Sequence, residues 1–161
     1  MKDGNEYSRA WESALRLLNY RERSRKELSD KLGERHYPTP VITRIIEKLE
    51  RLELLDDEKF ARLWVRSRLR FKPRSAWLIR RELKEKGLDE ELISRVVEEE
   101  YPPDREMGAA VTLARKRFDY YRGDQPAAAW RKLFAYLARR GFSPDTIREC
   151  IDKVITKVGS D

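Results

Sequence analysis

Arg62, Arg66 and Arg70 recur every four residues along a stretch that is otherwise rich in apolar side chains. At about 100° per residue, such spacing stacks three guanidinium groups on one flank of a helix. Like charges at i, i+4 repel by roughly a few tenths of a kcal/mol per pair. A chain that keeps two such pairs either neutralises them with neighbouring acids or holds them for an anionic partner. A little further on, Trp77 stands among Arg80, Arg81 and Lys84, on the side opposite Ala76, Ile79 and Leu83. Tryptophan and arginine are over-represented among interface hot spots, so this cluster reads either as a binding anchor or as packing beneath an adjoining element. Arg131, Lys132, Arg139 and Arg140 form a weaker set of the same kind, and Arg21, Arg23, Arg25 and Lys26 another. The chemistry these residues offer is recognition of a partner.

Catalytic constellations are not recognisable. His36 is the single histidine, and its position at a helix end accounts for it better than a Ser–His–Asp triad does. Asp56, Asp57 and Glu58 suggest a metal-assisted nuclease, but they open a helix, where carboxylates favour the positive end of the dipole. No Gly-x-x-x-x-Gly-Lys-Ser/Thr loop is present to cradle nucleotide phosphates. The lone cysteine, Cys150, lies between Ile147 and Ile151 in an apolar pattern and reads as core packing, which leaves no intramolecular disulfide and no multi-cysteine zinc site. No cofactor and no metal are expected.

The elements that must carry these residues come from a unit written three times. Leu28, Ile79 and Leu133 fall in register, as do Leu32, Leu83 and Leu137. Four residues later comes a helix stop, His36, Gly87 or Gly141, then an apolar residue, Tyr37, Leu88 or Phe142, and new apolar runs open at Ile42, Ile93 and Ile147. The stop favours a positive φ, which glycine adopts readily and His36 must adopt against its side chain. Self-similarity at this spacing predicts an array whose neighbouring units share their apolar faces. The register aligns poorly for the first helix of each unit.

The period of the apolar residues is helical throughout. Ile42, Ile45, Ile46, Leu49 and Leu52 share a face, and so do Leu92, Ile93, Val96 and Val97, and Ile147, Ile151, Val154, Ile155 and Val158. Between Asp56 and Pro73, Phe60, Leu63, Trp64 and Phe71 are expected inward, with Ala61, Val65 and Leu69 widening that face. Ser24 with Glu27 forms a capping box, Thr39-Pro40 and Ser143-Pro144 place an N-cap oxygen before a proline, and Asp89 caps the following helix. No alternating segment predicts a strand. The reading is all-α, three tandem three-helix units over 1–55, 56–103 and 104–161.

Of the 161 residues 40% are charged, so the core is thin, which suits small helical modules. The net charge of +7 is unevenly spread: 60–86 holds ten Lys or Arg against two Glu, whereas 89–106 holds eight acids against two Arg. The first seven residues carry no apolar targeting core and no stretch approaches a membrane span, so a cytoplasmic protein without membrane association is expected.

Three strings resemble the RecX family, regulators of the recombinase RecA: Arg23-Ser24-x-x-Glu27-Leu28, Leu55-Asp56-Asp57-x-x-Phe60-Ala61 and Glu82-Leu83-x-x-Lys86-Gly87-Leu88. Between Arg70 and Ile79 the chain departs from the family pattern, with Pro73, Ser75, Trp77 and Leu78 where glycines and further basic residues are usual. The resemblance implies an elongated, curved all-helical array that binds the RecA filament on single-stranded DNA and modulates, mostly by inhibiting, ATP turnover, strand exchange and coprotease activity, in recombination, repair and the SOS response; a monomer is expected. Direct DNA contact is open. The alternative from the residues themselves is a direct DNA-binding protein, since short trihelical units resemble helix-turn-helix domains.

Overall fold

The computed structural model describes residues 2–158, with side chains from 4 to 156. Among these every regular element is helical: α1 (Lys2–Tyr20), α2 (Arg25–Glu34), α3 (Thr39–Arg51), α4 (Asp57–Phe71), α5 (Ala76–Glu85), α6 (Glu90–Glu100), α7 (Pro103–Phe118), α8 (Pro126–Arg139) and α9 (Pro144–Val158), with one 3-10 turn over Asp119–Tyr121. No described helix is long and apolar enough to cross a membrane. The chain divides into two compact units. One comprises the chain up to Leu63 together with Leu83–Ile93, the other Trp64–Glu82 together with the chain from Ser94 onward.

In the first unit, Ala10, Ala14 and Leu17 of α1 pack with Leu28 and Leu32 of α2 and with Ile42, Ile45, Ile46 and Leu49 of α3. Small residues on α1 let the helices approach closely, and the branched chains fill the space. Ser24 caps α2 as its spacing predicts: its Oγ accepts from Glu27 N at 3.1 Å, and Glu27 Oε2 accepts from Ser24 N at 3.3 Å. Thr39 does not cap α3. Pro38, still extended, is the N-cap residue, one position before the cap that the Thr39-Pro40 spacing predicts, and Thr39 is already helical. Leu52 turns out to be exposed; the helix ends at it, Glu53 takes φ 55°, and the chain turns so that Leu55 is buried instead.

In the second unit, Ala110, Leu113 and Ala114 of α7 pack with Leu133 and Leu137 of α8 and with Ile147, Cys150, Ile151 and Val154 of α9. Cys150 is core, and burial pushes its thiol up to about 11. Ser143 caps α9 by accepting from Thr146 N at 3.2 Å, whereas Ile155 is largely exposed and the side chain of Val158 lies outside the described residues.

The three helix stops share one geometry. His36, Gly87 and Gly141 have φ of 62°, 79° and 84°. In each, the next residue donates back to the in-register leucine: Tyr37 N to Leu32 O, Leu88 N to Leu83 O and Phe142 N to Leu137 O, at 3.3, 3.3 and 3.4 Å. The two glycines do more than permit the turn. A Cβ on Gly87 would overlap the side chain of Lys26, and one on Gly141 would lie 2.5 Å from Ser75 Oγ and 2.9 Å from Leu78 Cβ.

These close approaches are two copies of one junction between a helix stop and the start of the second helix of the preceding repeat. Within the first unit, Ser24 Oγ donates to Lys86 O at 2.7 Å, and Lys86 Nζ reaches Glu27 at 2.6 Å. Within the second, Ser75 N donates to Arg140 O at 2.9 Å, and Arg140 Nη1 reaches Pro73 O at 3.1 Å. The carbonyl and the basic side chain just before the glycine do the same work in both.

Glu27 sits at the centre of the first junction, also accepting both guanidinium nitrogens of Arg21 at 3.1 Å. Burial by itself would raise its carboxyl, but the bonds from Arg21 and Lys86 outweigh this and hold it at about 2, below its ordinary 4.5. A depressed carboxylate contributes stability that is complete above its unfolded value and is lost as pH falls toward the folded one. The melting temperature is therefore expected to drop between pH 4.5 and 2. Glu27→Gln should flatten that part of the profile and lose about 2–3 kcal/mol at neutral pH. An unchanged acid limb in this variant would refute the assignment.

Candidate partner-binding surface

Within α4 the arginine ladder meets acids at two of its three rungs. Arg62 Nη2 donates to Glu58 one turn earlier at 2.8 Å. Arg66 Nε and Nη2 grip Glu100 with a fork of bonds at 2.9 and 2.7 Å, and Glu100 is buried. That bidentate geometry holds α4 to α6, so Arg66 anchors the fold. Arg70 is exposed, and its guanidinium lies 5.1 Å from the centroid of the Phe71 ring.

The aromatic face of α4 is narrower than the periodicity suggests. Phe60, Ala61 and Val65 are buried, but Leu63 is 42% exposed and Phe71 69% exposed. Phe71 is the last residue of α4, where the chain leaves the helix through Lys72–Arg74. Trp64 is held by its polar end: Nε1 donates to Glu82 Oε2 at 2.8 Å, and Arg68 lies over its ring at 4.3 Å. Arg68 Nε donates to the same Glu82 oxygen at 2.8 Å, and Arg74 pairs with the other. Glu82 thus ties α4, the following turn and α5 together. Tyr101 completes that tie, its buried hydroxyl donating to Arg74 O at 2.9 Å; burial pushes this hydroxyl well above the ordinary phenol range.

On this frame α5 presents Trp77, 60% exposed, with the Arg81 guanidinium 5.8 Å from its ring. Arg80 is half-buried, donating to Ser94 Oγ at 3.1 Å and lying 3.8 Å from Glu98. Lys84 lies 3.6 Å from Glu90, both exposed, where such a pair contributes little. Arg70–Phe71 and Arg81–Trp77 are therefore exposed rings with a guanidinium over each, as is Arg117–Tyr120 further along the second unit. An exposed indole or phenyl beneath a cation can cover an apolar or π-rich surface while the charge meets an anion.

The set in α8 separates in the same way. Arg131 and Arg139 are exposed. Lys132 pairs with Asp124 at 2.8 Å and lies 5.5 Å from the ring of Tyr121. Arg140 serves the junction with Pro73 and lies 5.3 Å from the ring of Tyr136. A cluster that the spacing did not reveal surrounds Arg117: its guanidinium is within 5.1–5.7 Å of the rings of Tyr120, Tyr121 and Tyr136, and its Nε donates to the Tyr121 hydroxyl at 3.1 Å. The Tyr120-Tyr121 pair following a basic helix end was the available signal.

The acids considered for metal chemistry have structural partners. Asp56 Oδ1 accepts from Glu58 N at 2.9 Å and Lys59 N at 3.1 Å, capping α4, and Asp57 Oδ1 accepts from Arg25 N at 2.7 Å. Burial raises the Asp57 carboxyl and that backbone bond opposes the rise. Among the described residues no group of His, Cys, Asp or Glu is arranged to hold a metal ion. His36 is exposed at its helix stop.

Three family models cover most of the chain: the first three-helix domain of RecX matches residues 10–49, the second 56–97 and the third 104–151. The chain is 37% identical to the regulatory protein RecX of Chlorobium phaeobacteroides over 147 residues, covering 91% of this chain and 93% of the relative. It is 38% identical over 138 residues to that of Mycobacterium leprae, covering 85% and 80%. Among solved structures, RecX from Lactobacillus salivarius superposes with a TM-score of 0.83 at 29% identity, covering 95% of this chain and 99% of the other.

Proposed function

The chain belongs to the RecX family of regulatory proteins, and on that premise we propose that it is a non-catalytic regulator that binds the RecA filament on single-stranded DNA and inhibits RecA's ATP turnover, strand exchange and coprotease activity. The observation that carries the reading is the exposed pair of rings under guanidinium groups, Phe71 with Arg70 and Trp77 with Arg81, in a chain of net charge +7. Charge draws the protein to a polyanionic assembly, and rigid aromatic anchors fix its register there. Arg131 and Arg139 of the same unit are exposed and join the candidate set; Arg66, Arg80, Lys132 and Arg140 of that unit make internal contacts, as do Arg62 and Lys84 in the first unit.

The test is RecA's DNA-dependent ATP turnover with this protein titrated in. Suppression at substoichiometric amounts supports the reading. An unchanged rate and unchanged filament length would overturn it. The second reading, direct DNA binding, draws on the same rings, because an exposed aromatic beside arginine is also a platform for stacked bases.

A further inference from the structure

The two internal junctions have the same parts, and the chain holds a further half of that junction at each end of its repeat register. The donor half is the start of a second helix. At Ser24 and Ser75 it offers a serine that caps the helix and donates a hydrogen bond outward, through Oγ to Lys86 O in one case and through N to Arg140 O in the other. The acceptor half is a helix stop with a basic residue, a free-standing carbonyl and a glycine lying flat on the donor: Lys86-Gly87 and Arg140-Gly141. Repeat one has an acceptor-type stop, Arg35-His36, and repeat three has a donor-type start around Ala129.

Both of these are altered in ways that block the same union. His36 adopts the required φ of 62° but carries a side chain where Gly87 and Gly141 leave no room for a Cβ. Arg35 turns to Ser13 Oγ instead of reaching outward as Lys86 and Arg140 do. In repeat three, α8 begins at Pro126, so Ala129 lies inside the helix where Ser24 and Ser75 are caps. Alanine has no hydroxyl, and the Ala129 N–H that would donate outward is bonded to Gln125 O at 3.0 Å.

We propose that Arg35-His36 and the start of α8 are complementary halves of one more junction, that the partner it fits is a second copy of this chain, and that His36 and the added turn Pro126–Ala128 keep it closed. A heterologous contact of this kind, open on both halves, joins copy to copy.

Two variants each open one half: His36→Gly, and the triple change Ala127→Pro, Ala128→Arg, Ala129→Ser, which copies Pro73-Arg74-Ser75. Sedimentation equilibrium should give the mass of one copy for the native chain and for each variant alone at every concentration. Mixing the two variants should raise the mass about twofold and stop there, because each has a single open half. Combining all four changes in one chain should give a mass that keeps rising with concentration. If the triple variant loses its helical circular dichroism, Pro126→Gly with Ala129→Ser opens the same half and goes into the same mixture. Folded variants that stay at one-copy mass when mixed would overturn the proposal, as would a native chain that assembles head to tail.

Discussion

Replacing Gly87 by alanine is expected to lower the melting temperature by about 6–12 °C, a loss of about 2–4 kcal/mol. The left-handed backbone accounts for roughly 1–2 kcal/mol of this, since φ is 79°. The remainder comes from Lys26, whose Cβ and Cγ would have to move as well as its flexible end, disturbing the bond from Ser24 to Lys86 O. Gly141→Ala should behave alike, meeting Ser75 Oγ and Leu78 Cβ. His36→Gly is the internal control: it relieves a positive φ in an exposed residue and is expected to leave stability unchanged or raised by about 0.5–1 kcal/mol. Thermal melts of the three variants decide the matter. Losses at Gly87 and Gly141 of only about 1 kcal/mol, mirroring the gain at His36, would show that backbone conformation alone is at work and that the junctions contribute nothing.

Removing the exposed anchor is the second large effect. Trp77→Ala with Arg81→Ala is expected to weaken binding to the RecA filament by about 2 kcal/mol or more, roughly 30-fold, in line with central aromatic and arginine hot spots. Because Trp77 is exposed, the melt of this double variant should match that of the native chain. Arg66→Glu should do the reverse. It breaks the fork onto buried Glu100 and sets carboxylate against carboxylate, destabilising the fold by about 3 kcal/mol. Any loss of binding in that variant should come with a lowered melt. A Trp77/Arg81 variant that binds filament at native strength would remove α5 from the contact surface.

Much of the fold was legible because it rests on local rules. The shared register of Leu28, Ile79 and Leu133, the capping box at Ser24 and the three stops follow from helical period and backbone preference, which a short window contains. The start of α3 was read one residue late because Pro38 and Pro40, flanking Thr39, both suit a helix start. Leu52 and Phe71 have the right period for a buried face, but they stand at helix ends, and whether such an end meets a neighbour depends on where the chain goes next; Leu63, in the middle of α4, lies at the edge of the buried face. The arginine ladder posed the same difficulty. Arg62 finds its acid one turn away, whereas the acid for Arg66 is 34 residues distant, and no local pattern pairs those two.

The motif strings that carry the family resemblance are largely structural. Arg23 Nε donates to Leu17 O at 3.2 Å; Ser24 and Glu27 meet Lys86; Asp57 meets Arg25; Glu82 gathers Trp64, Arg68 and Arg74. They build junctions and frames, and so they were the clearest signals in the sequence. The exposed rings that the function is assigned to lie in the Arg70–Ile79 stretch, where the chain departs from the family pattern; the cations around Trp77 marked it in the sequence, whereas the helical period placed Phe71 inward.

Affinity for RecA-coated single-stranded DNA, set beside affinity for the same DNA without RecA at equal salt, tests the regulator reading most directly. The filament is expected to bind at least tenfold more tightly, about 1.4 kcal/mol, with the advantage lost in the Trp77/Arg81 double variant. Equal affinity for coated and bare strands, both falling steeply with salt, would make this a DNA-binding protein and contradict a role addressed to the filament.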